Sequence, residues 1–316
     1  MRSRTRFAFY FLLIAMLAAS VAAQKPKSKD EALKEIATLV ASKKPEDLAK
    51  AYPLGKDFVA RFGKDNKDGK DKAVTQVKAF VEGYRESAFY MAIDGSKFAD
   101  AFALGREILA EHPDDVGISI NLAYIGYQSM GANRDKTYTD DATGFAKKAA
   151  QMLEAGTEPK NYSPYKDKDE ALAWMYYIPG FIQVDKDMKE SAGNIYKATT
   201  FNSSIKESSL PYYLISAYYE DVYAKLSTEL KAKVGDQKLS DADFKAANER
   251  INKAIELMMD AYARAYKKGE AEKNPNAAQW KDRLTQVYKF SKKTDSGLPE
   301  FITYVLTTPL PDPTKF

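Results

Sequence analysis

The sequence predicts an all-α protein, built as an α-solenoid of about six antiparallel helix pairs. Apolar residues recur at every third or fourth position along almost the whole chain, which is the spacing of one face of an α-helix. Breaks in this spacing recur at a period of roughly 35–50 residues, as in helical repeats. One hairpin cannot bury its apolar face alone, so neighbouring pairs are expected to stack.

Capping and turn residues give the boundaries of the helices. Ser28 and Glu31 have the spacing of a capping box, and Pro45 suits the first turn of a helix. Asp94-Gly95-Ser96 is typical of a tight turn. The sequence predicts helix pairs at residues 28–41 with 45–62, 71–92 with 96–111, 114–130 with 140–155, 168–184 with 187–204, 209–233 with 240–268, and 276–292 with 298–306.

The N-terminal residues have the composition of a cleavable export signal. Three arginines precede an apolar run over residues 7–19, and small residues follow the run. The run is shorter than the roughly 20 apolar residues that cross a membrane. We therefore expect cleavage after Ala23, with a cut after Ala22 as the alternative. The protein is then expected in the periplasm or outside the cell.

Loss of the signal leaves a chain of balanced charge. The whole sequence has 48 basic and 44 acidic residues, so without the three signal arginines the numbers are 45 and 44. A balanced surface gives no electrostatic reason to expect nucleic acid or an anionic membrane as a partner. The chain has no cysteine, so apolar burial must replace disulfides. The predicted organisation is a signal peptide at 1–23, a helical domain at 24–306 and an extended Pro-rich tail at 307–316.

A recognisable motif lies between Gly95 and Asp114. Phe98 follows the turn, Ala101 is a small residue where two helices approach, and Pro113 closes the motif. This stretch resembles the second half of a tetratricopeptide repeat (TPR), and residues 141–153 resemble a second such helix. The segment from Trp280 to Pro311 is similar to the ends of exported bacterial TPR-like proteins of unassigned role. The resemblance implies a right-handed TPR-like superhelix with six helix pairs, and a scaffold that binds a protein or peptide on its concave face.

Two glycines depart from the repeat pattern. Gly105 stands where the repeat usually has an aromatic residue. Gly126 stands where the next repeat has its tyrosine, which is displaced here to Tyr127. The resemblance offers no catalytic residues to carry over.

The sequence lacks the residues that most kinds of catalytic and metal site require. His112 is the one histidine, and its place at a predicted helix C-terminus favours a capping role over catalysis. Without cysteine or a second histidine, a Ser-His-Asp triad is disfavoured and a zinc site of His and Cys lacks ligands. The polar loop from Lys64 to Gly69 fails as an EF-hand, because Lys64 and Thr75 replace required carboxylates. We predict no enzyme activity, no metal and no cofactor.

A different function stays open, since carboxylates are abundant. A helical hydrolase, or a protein that binds a small ligand or glycan, could use two carboxylates in the Tyr-rich middle of the chain. The candidate acids are Glu82, Glu86, Asp167, Asp169, Glu170, Glu220 and Asp221.

Aromatic residues are concentrated between Tyr124 and Tyr223, and tyrosine suits binding surfaces as well as helix packing. We predict Tyr127, Trp174 and Tyr177 as binding residues. Adjacent residues cannot share one helix face, so one tyrosine of the pairs 176/177 and 218/219 is expected to pack and the other to face solvent or a groove. Ile178-Pro179-Gly180 is expected to kink or end its helix.

Cleavage of the signal is directly testable. Intact-mass analysis of the protein recovered from the envelope or medium should give a chain that begins at Gln24, or at Ala23 for the alternative cut. A recovered chain that retains residues 1–23 would contradict the prediction.

Overall fold

The computed structural model describes residues 27–66, 69–235 and 239–316, so the predicted signal lies outside the described residues. Within these ranges the protein is all-helical and has no strand, which confirms the predicted class. The twelve predicted helices are present, together with the short helix α9. The helices are α1 (Lys29–Ala41), α2 (Pro45–Phe62), α3 (Lys72–Asp94), α4 (Phe98–Glu111), α5 (Val116–Asn133), α6 (Thr139–Glu154), α7 (Lys168–Gln183), α8 (Met188–Thr199), α9 (Ser204–Glu207), α10 (Leu210–Gly235), α11 (Asp241–Glu272), α12 (Ala277–Lys292) and α13 (Leu298–Thr307).

The chain divides into two compact units, at Met1–Ala88 and Phe89–Phe316. In the first unit α1 begins with the predicted capping box, because Ser28 accepts a bond from the Glu31 amide and the Glu31 carboxylate accepts one from the Ser28 amide at 2.8 Å. Pro45 occupies the first turn of α2, as predicted. The core of this unit consists of Ile36, Phe58, Val74, Val77 and Val81.

In the second unit, consecutive helices pack against each other from α4 to α8 and from α10 to α12. Among these contacts are those of α5 with α6, α7 with α8 and α10 with α11. Helix α8 also packs against α10, and α13 packs against α11.

Among the described helices, none combines the length and the apolar character that a membrane crossing requires.

Close helix approach explains both glycines that depart from the repeat pattern. A Cβ atom on Gly105 would lie 2.8 Å from Leu122 and 2.9 Å from Phe89, and one on Gly126 would lie 2.6 Å from the Cβ of Ala142. Such distances are too short for non-bonded carbon atoms. Glycine at these positions therefore lets α5 pack directly against α4 and α6.

Helix α7 continues through Pro179 to Gln183, so the helix does not end at the proline. Helix α8 supports this segment. The Ser191 hydroxyl donates to the carbonyl oxygen of Gly180 at 2.7 Å, and a Cβ atom on Gly180 would lie 2.7 Å from the side chain of Ile195. Tertiary packing against α8 thus maintains the helix after a residue that usually interrupts one.

Helix α11 is the central element of the second unit. Its residues from Leu257 to Tyr266 are all buried, so more than two turns are covered on every side. This stretch includes Asp260 and Arg264, whose Oδ1 and Nε atoms are 2.7 Å apart. Arg264 also donates to the carbonyl oxygens of Val305 and Thr308, at 2.7 and 2.9 Å. One buried guanidinium therefore joins α11 to the end of α13.

The last residues continue from this contact towards α8. Pro313–Lys315 form a 3-10 turn that packs against α8, where Thr314 lies close to Gly193. The ring of Phe316 lies 6.1 Å from that of Tyr219. The C-terminal segment therefore contributes to the core of the second unit.

Replacement of Arg264 by methionine should lower the free energy of unfolding by about 3–5 kcal/mol, because the Asp260 carboxylate is left buried without its partner. Urea denaturation followed by circular dichroism measures the change. The matched control is Arg283→Met, which removes a partly exposed pair with Glu220 and should cost no more than about 1 kcal/mol. Equal losses in the two variants would contradict the role given to Arg264.

Candidate functional site

The three predicted binding residues lie in one aromatic cluster. Tyr127 of α5 faces Trp174 and Tyr177 of α7, with ring centroids 5.6 and 6.2 Å away. The rings of Trp174 and Tyr177 are 5.6 Å apart, and Phe181 lies 5.6 Å from Tyr127. Residues 174, 177 and 181 share one face of α7 because they are three and four positions apart. The three residues therefore meet in the structure, and their role in binding stays a prediction.

The three residues differ in how much of each side chain is exposed to solvent. Tyr177 is only 3% exposed, and desolvation raises its pKa far above the ordinary value, with a further contribution from Tyr127. Tyr127 is half-buried, and desolvation raises its pKa as well. Trp174 is also half-buried, but it lines an open cleft. Tyr177 is thus a core residue that supports Trp174, and Trp174 is the member that lines the cleft.

The prediction for adjacent tyrosines holds in one pair and is wrong in the other. Tyr177 is buried while Tyr176 is half-buried and stacks on Phe201 at 5.9 Å. Tyr218 and Tyr219 are both buried, at 5% and 1% exposure. The reason is that α10 is covered by α8 and by α11, so two of its faces lie in the core.

The cleft beside Trp174 has a volume of about 650 Å³, within the usual range of ligand sites. Tyr124 and Gln128 of α5 form one wall, and residues 164–166 and the start of α7 form another. The segment 202–207, which contains α9, completes the lining. The cleft therefore lies where four separate segments of the second unit meet.

The wall at residues 164–166 is fixed to the helices beside it. The Asn121 side chain donates to the carbonyl oxygens of Ser163 and Gly117, at 3.0 and 2.9 Å. The Tyr165 ring stacks on Trp174, with centroids 5.7 Å apart and planes 19° from parallel. These contacts hold the wall in one position before any ligand binds.

Glu170 lines the cleft and contacts residues of three segments, which are α7, the start of α9 and the loop before α7. It is 8% exposed, and it accepts hydrogen bonds from the Trp174 indole at 3.1 Å and the Ser204 amide at 2.9 Å. The Ser204 hydroxyl donates to it as well. Lys166 lies 3.9 Å away. Glu170 thus orients Trp174 and holds the start of α9 against α7.

Two amide side chains of the lining are free to bind a ligand. Gln128 and Asn202 have no hydrogen-bond partner among the described residues. Each amide offers one acceptor and two donors. The charges around them are balanced, since Lys166 lies near Glu170 and Glu207 pairs with Lys268 at 3.0 Å. The cleft therefore suits an uncharged polar group with both donors and acceptors.

The sequence alone identified part of this site. Trp174 was singled out, and Glu170 was one of several candidate acids. Its spacing of four residues from Trp174 is the signal that could have selected it. Gln128, Asn202 and Ser204 carry no such signal, because they come from other segments and meet Trp174 only in the folded chain.

Comparisons with known proteins give no assignment. No protein-family model matches the chain, and neither a curated protein nor a solved structure matches it. The function is therefore inferred from the geometry of the cleft.

The Glu170→Ala variant should lose about 1–3 kcal/mol of unfolding free energy, because the Trp174 indole and the Ser204 amide lose their shared acceptor. Chemical denaturation of the two purified proteins measures this loss. Glu190→Ala is the matched control, since it removes a solvent-exposed ion pair with Lys147 and should change stability by less than about 1 kcal/mol. A Glu170→Ala variant as stable as the control would contradict the role given to Glu170 in holding the start of α9 against α7.

Proposed function

We propose that this protein is an exported, non-catalytic scaffold that binds an extended segment of a partner protein in the cleft beside Trp174. The observation that carries the proposal is the pair of unpartnered amides, Gln128 and Asn202, in a cleft whose walls are already fixed. A preformed site loses little conformational freedom on binding, so modest contacts suffice.

The proposed architecture is a right-handed TPR-like solenoid. Its support is the succession of packed helices in the second unit and the buried small residues where helices approach, such as Ala101 and Ala142. In this proposal the cleft belongs to the concave binding surface, which repeat proteins use for extended ligands. The predicted N-terminal export signal supports a binding event in the periplasm or outside the cell.

The chemistry of the cleft favours a peptide chain. Each peptide group presents one N–H donor and one C=O acceptor, and a side-chain amide can bind both. The balanced charge favours a neutral stretch of polypeptide over a nucleic acid or an acidic polymer. Trp174 supplies apolar area for a side chain of the bound segment, while Tyr127 and Tyr177 hold it in place.

A glycan-binding protein or a helical hydrolase is the second candidate, because Glu170 and Glu207 both line the cleft. Two features weaken it. The Glu170 carboxylate already accepts bonds from Ser204 and Trp174, which leaves it poorly placed to give a proton to a leaving group. One face of Trp174 is covered by Tyr165, so that face is not available for stacking on a sugar ring.

The peptide proposal can be tested with an array of peptides from exported proteins of the same cell, followed by fluorescence anisotropy on those that bind. The Gln128→Ala/Asn202→Ala variant should bind about tenfold more weakly or worse, because each lost hydrogen bond weakens binding. The matched control is Gln151→Ala/Asn252→Ala, which removes two exposed amides outside the cleft and should bind as the unaltered protein does.

Two results would contradict the proposal. One is equal binding by the cleft variant and the control variant. The other is release of reducing sugar from a glycan that is lost in Glu207→Gln, since that result supports the hydrolase.

A further inference from the structure

The described residues at the far end of the α10–α11 hairpin are only partly covered, where Leu226 and Leu230 pack against the core. None of the described residues in 224–235 and 239–250 is buried, and the first buried residue of α11 is Ile251. Val234 and Phe244 are 49% and 47% exposed. We call these two stretches the arm. A two-helix hairpin buries too little apolar surface alone, and helix bundles cover such hairpins with further helices.

One face of α11 within the arm has an acidic and a basic residue that could contact a partner. Asp243, Ala246, Ala247 and Arg250 follow one another at three, four and seven positions, so they share one face of the helix. Asp243, Ala246 and Arg250 are exposed. Arg250 has no partner among the described residues. Asp243 bonds to Ser240 through one oxygen at 2.6 Å, which leaves its other oxygen available.

This face is complementary to itself. It has an acid at its N-terminal end, small residues in the middle and a base at its C-terminal end. An antiparallel second copy would set each Asp243 beside the other chain's Arg250, with the alanines at the two-fold axis, where two helices can approach closely. A parallel copy would instead oppose like charges, which is unfavourable.

We propose that two copies of this chain associate through their arms, with the α11 helices antiparallel and Asp243 of each copy paired with Arg250 of the other. The contact is isologous, as in most symmetric dimers. It uses residues separate from the cleft, so it does not depend on the proposed peptide binding. Because the ion pairs lie at the surface, high salt is expected to weaken the dimer.

Sedimentation equilibrium of the full purified chain, over a range of concentrations at low salt, tests the proposal. The unaltered chain should form a dimer. Arg250→Asp should raise the dimer dissociation constant about tenfold or more, since acids then face each other in two places. The exchange Asp243→Arg/Arg250→Asp restores opposite charges and should restore the dimer.

The matched control is Lys136→Asp, a charge reversal at an exposed position outside the arm, which should leave the dimer unchanged. Circular dichroism shows whether each variant remains folded. A monomer at every concentration would overturn the proposal, as would a dimer that Arg250→Asp does not weaken. Failure of the folded exchange variant to dimerise would also overturn it, because complementary charge would then not be the cause.

Discussion

The second unit depends on one constraint, which is that α11 is covered on all sides between Leu257 and Tyr266. A helix without a solvent face must be apolar all round, or must satisfy its polar groups internally. Asp260 and Arg264 do this four residues apart, one turn along the helix. Burial raises the pKa of Asp260, and the adjacent Arg264 opposes that shift. The Nη2 atom of the guanidinium also donates to the carbonyl oxygens of Val305 and Thr308, so the same ion pair that permits burial positions the C-terminal segment.

Hydrogen bonds between a carboxylate and a serine form a second kind of contact that joins distant helices. Glu170 accepts bonds from the amide and hydroxyl of Ser204, at the start of α9. Glu272 accepts the same two bonds from Ser209, a buried residue just before α10. The short helix α9 therefore lies between two fixed points. In a chain without cysteine, these contacts perform part of the cross-linking that disulfides provide in other proteins.

Sequence periodicity predicted the helices well, because amphipathic spacing and caps are local properties. It did not predict α9, whose four residues are too few to form a helix without tertiary support. It expected a kink or an end at Pro179, and the helix does not end there, because it continues to Gln183 with Gly180 packed closely against α8. It placed Tyr177 at a binding surface, yet the residue is buried. The cleft combines four segments, and no local pattern reveals such a meeting.

The two tryptophans of the chain occupy different environments. Trp174 stacks on Tyr165 and donates its indole N–H to a carboxylate at the cleft. Trp280 is buried against Gly269, where α12 meets α11. Replacement of Trp280 by phenylalanine would leave a single tryptophan at the cleft, and replacement of Trp174 would leave one in the core. With selective excitation of tryptophan, the protein thus carries its own pair of optical probes, one at the cleft and one in the helical core.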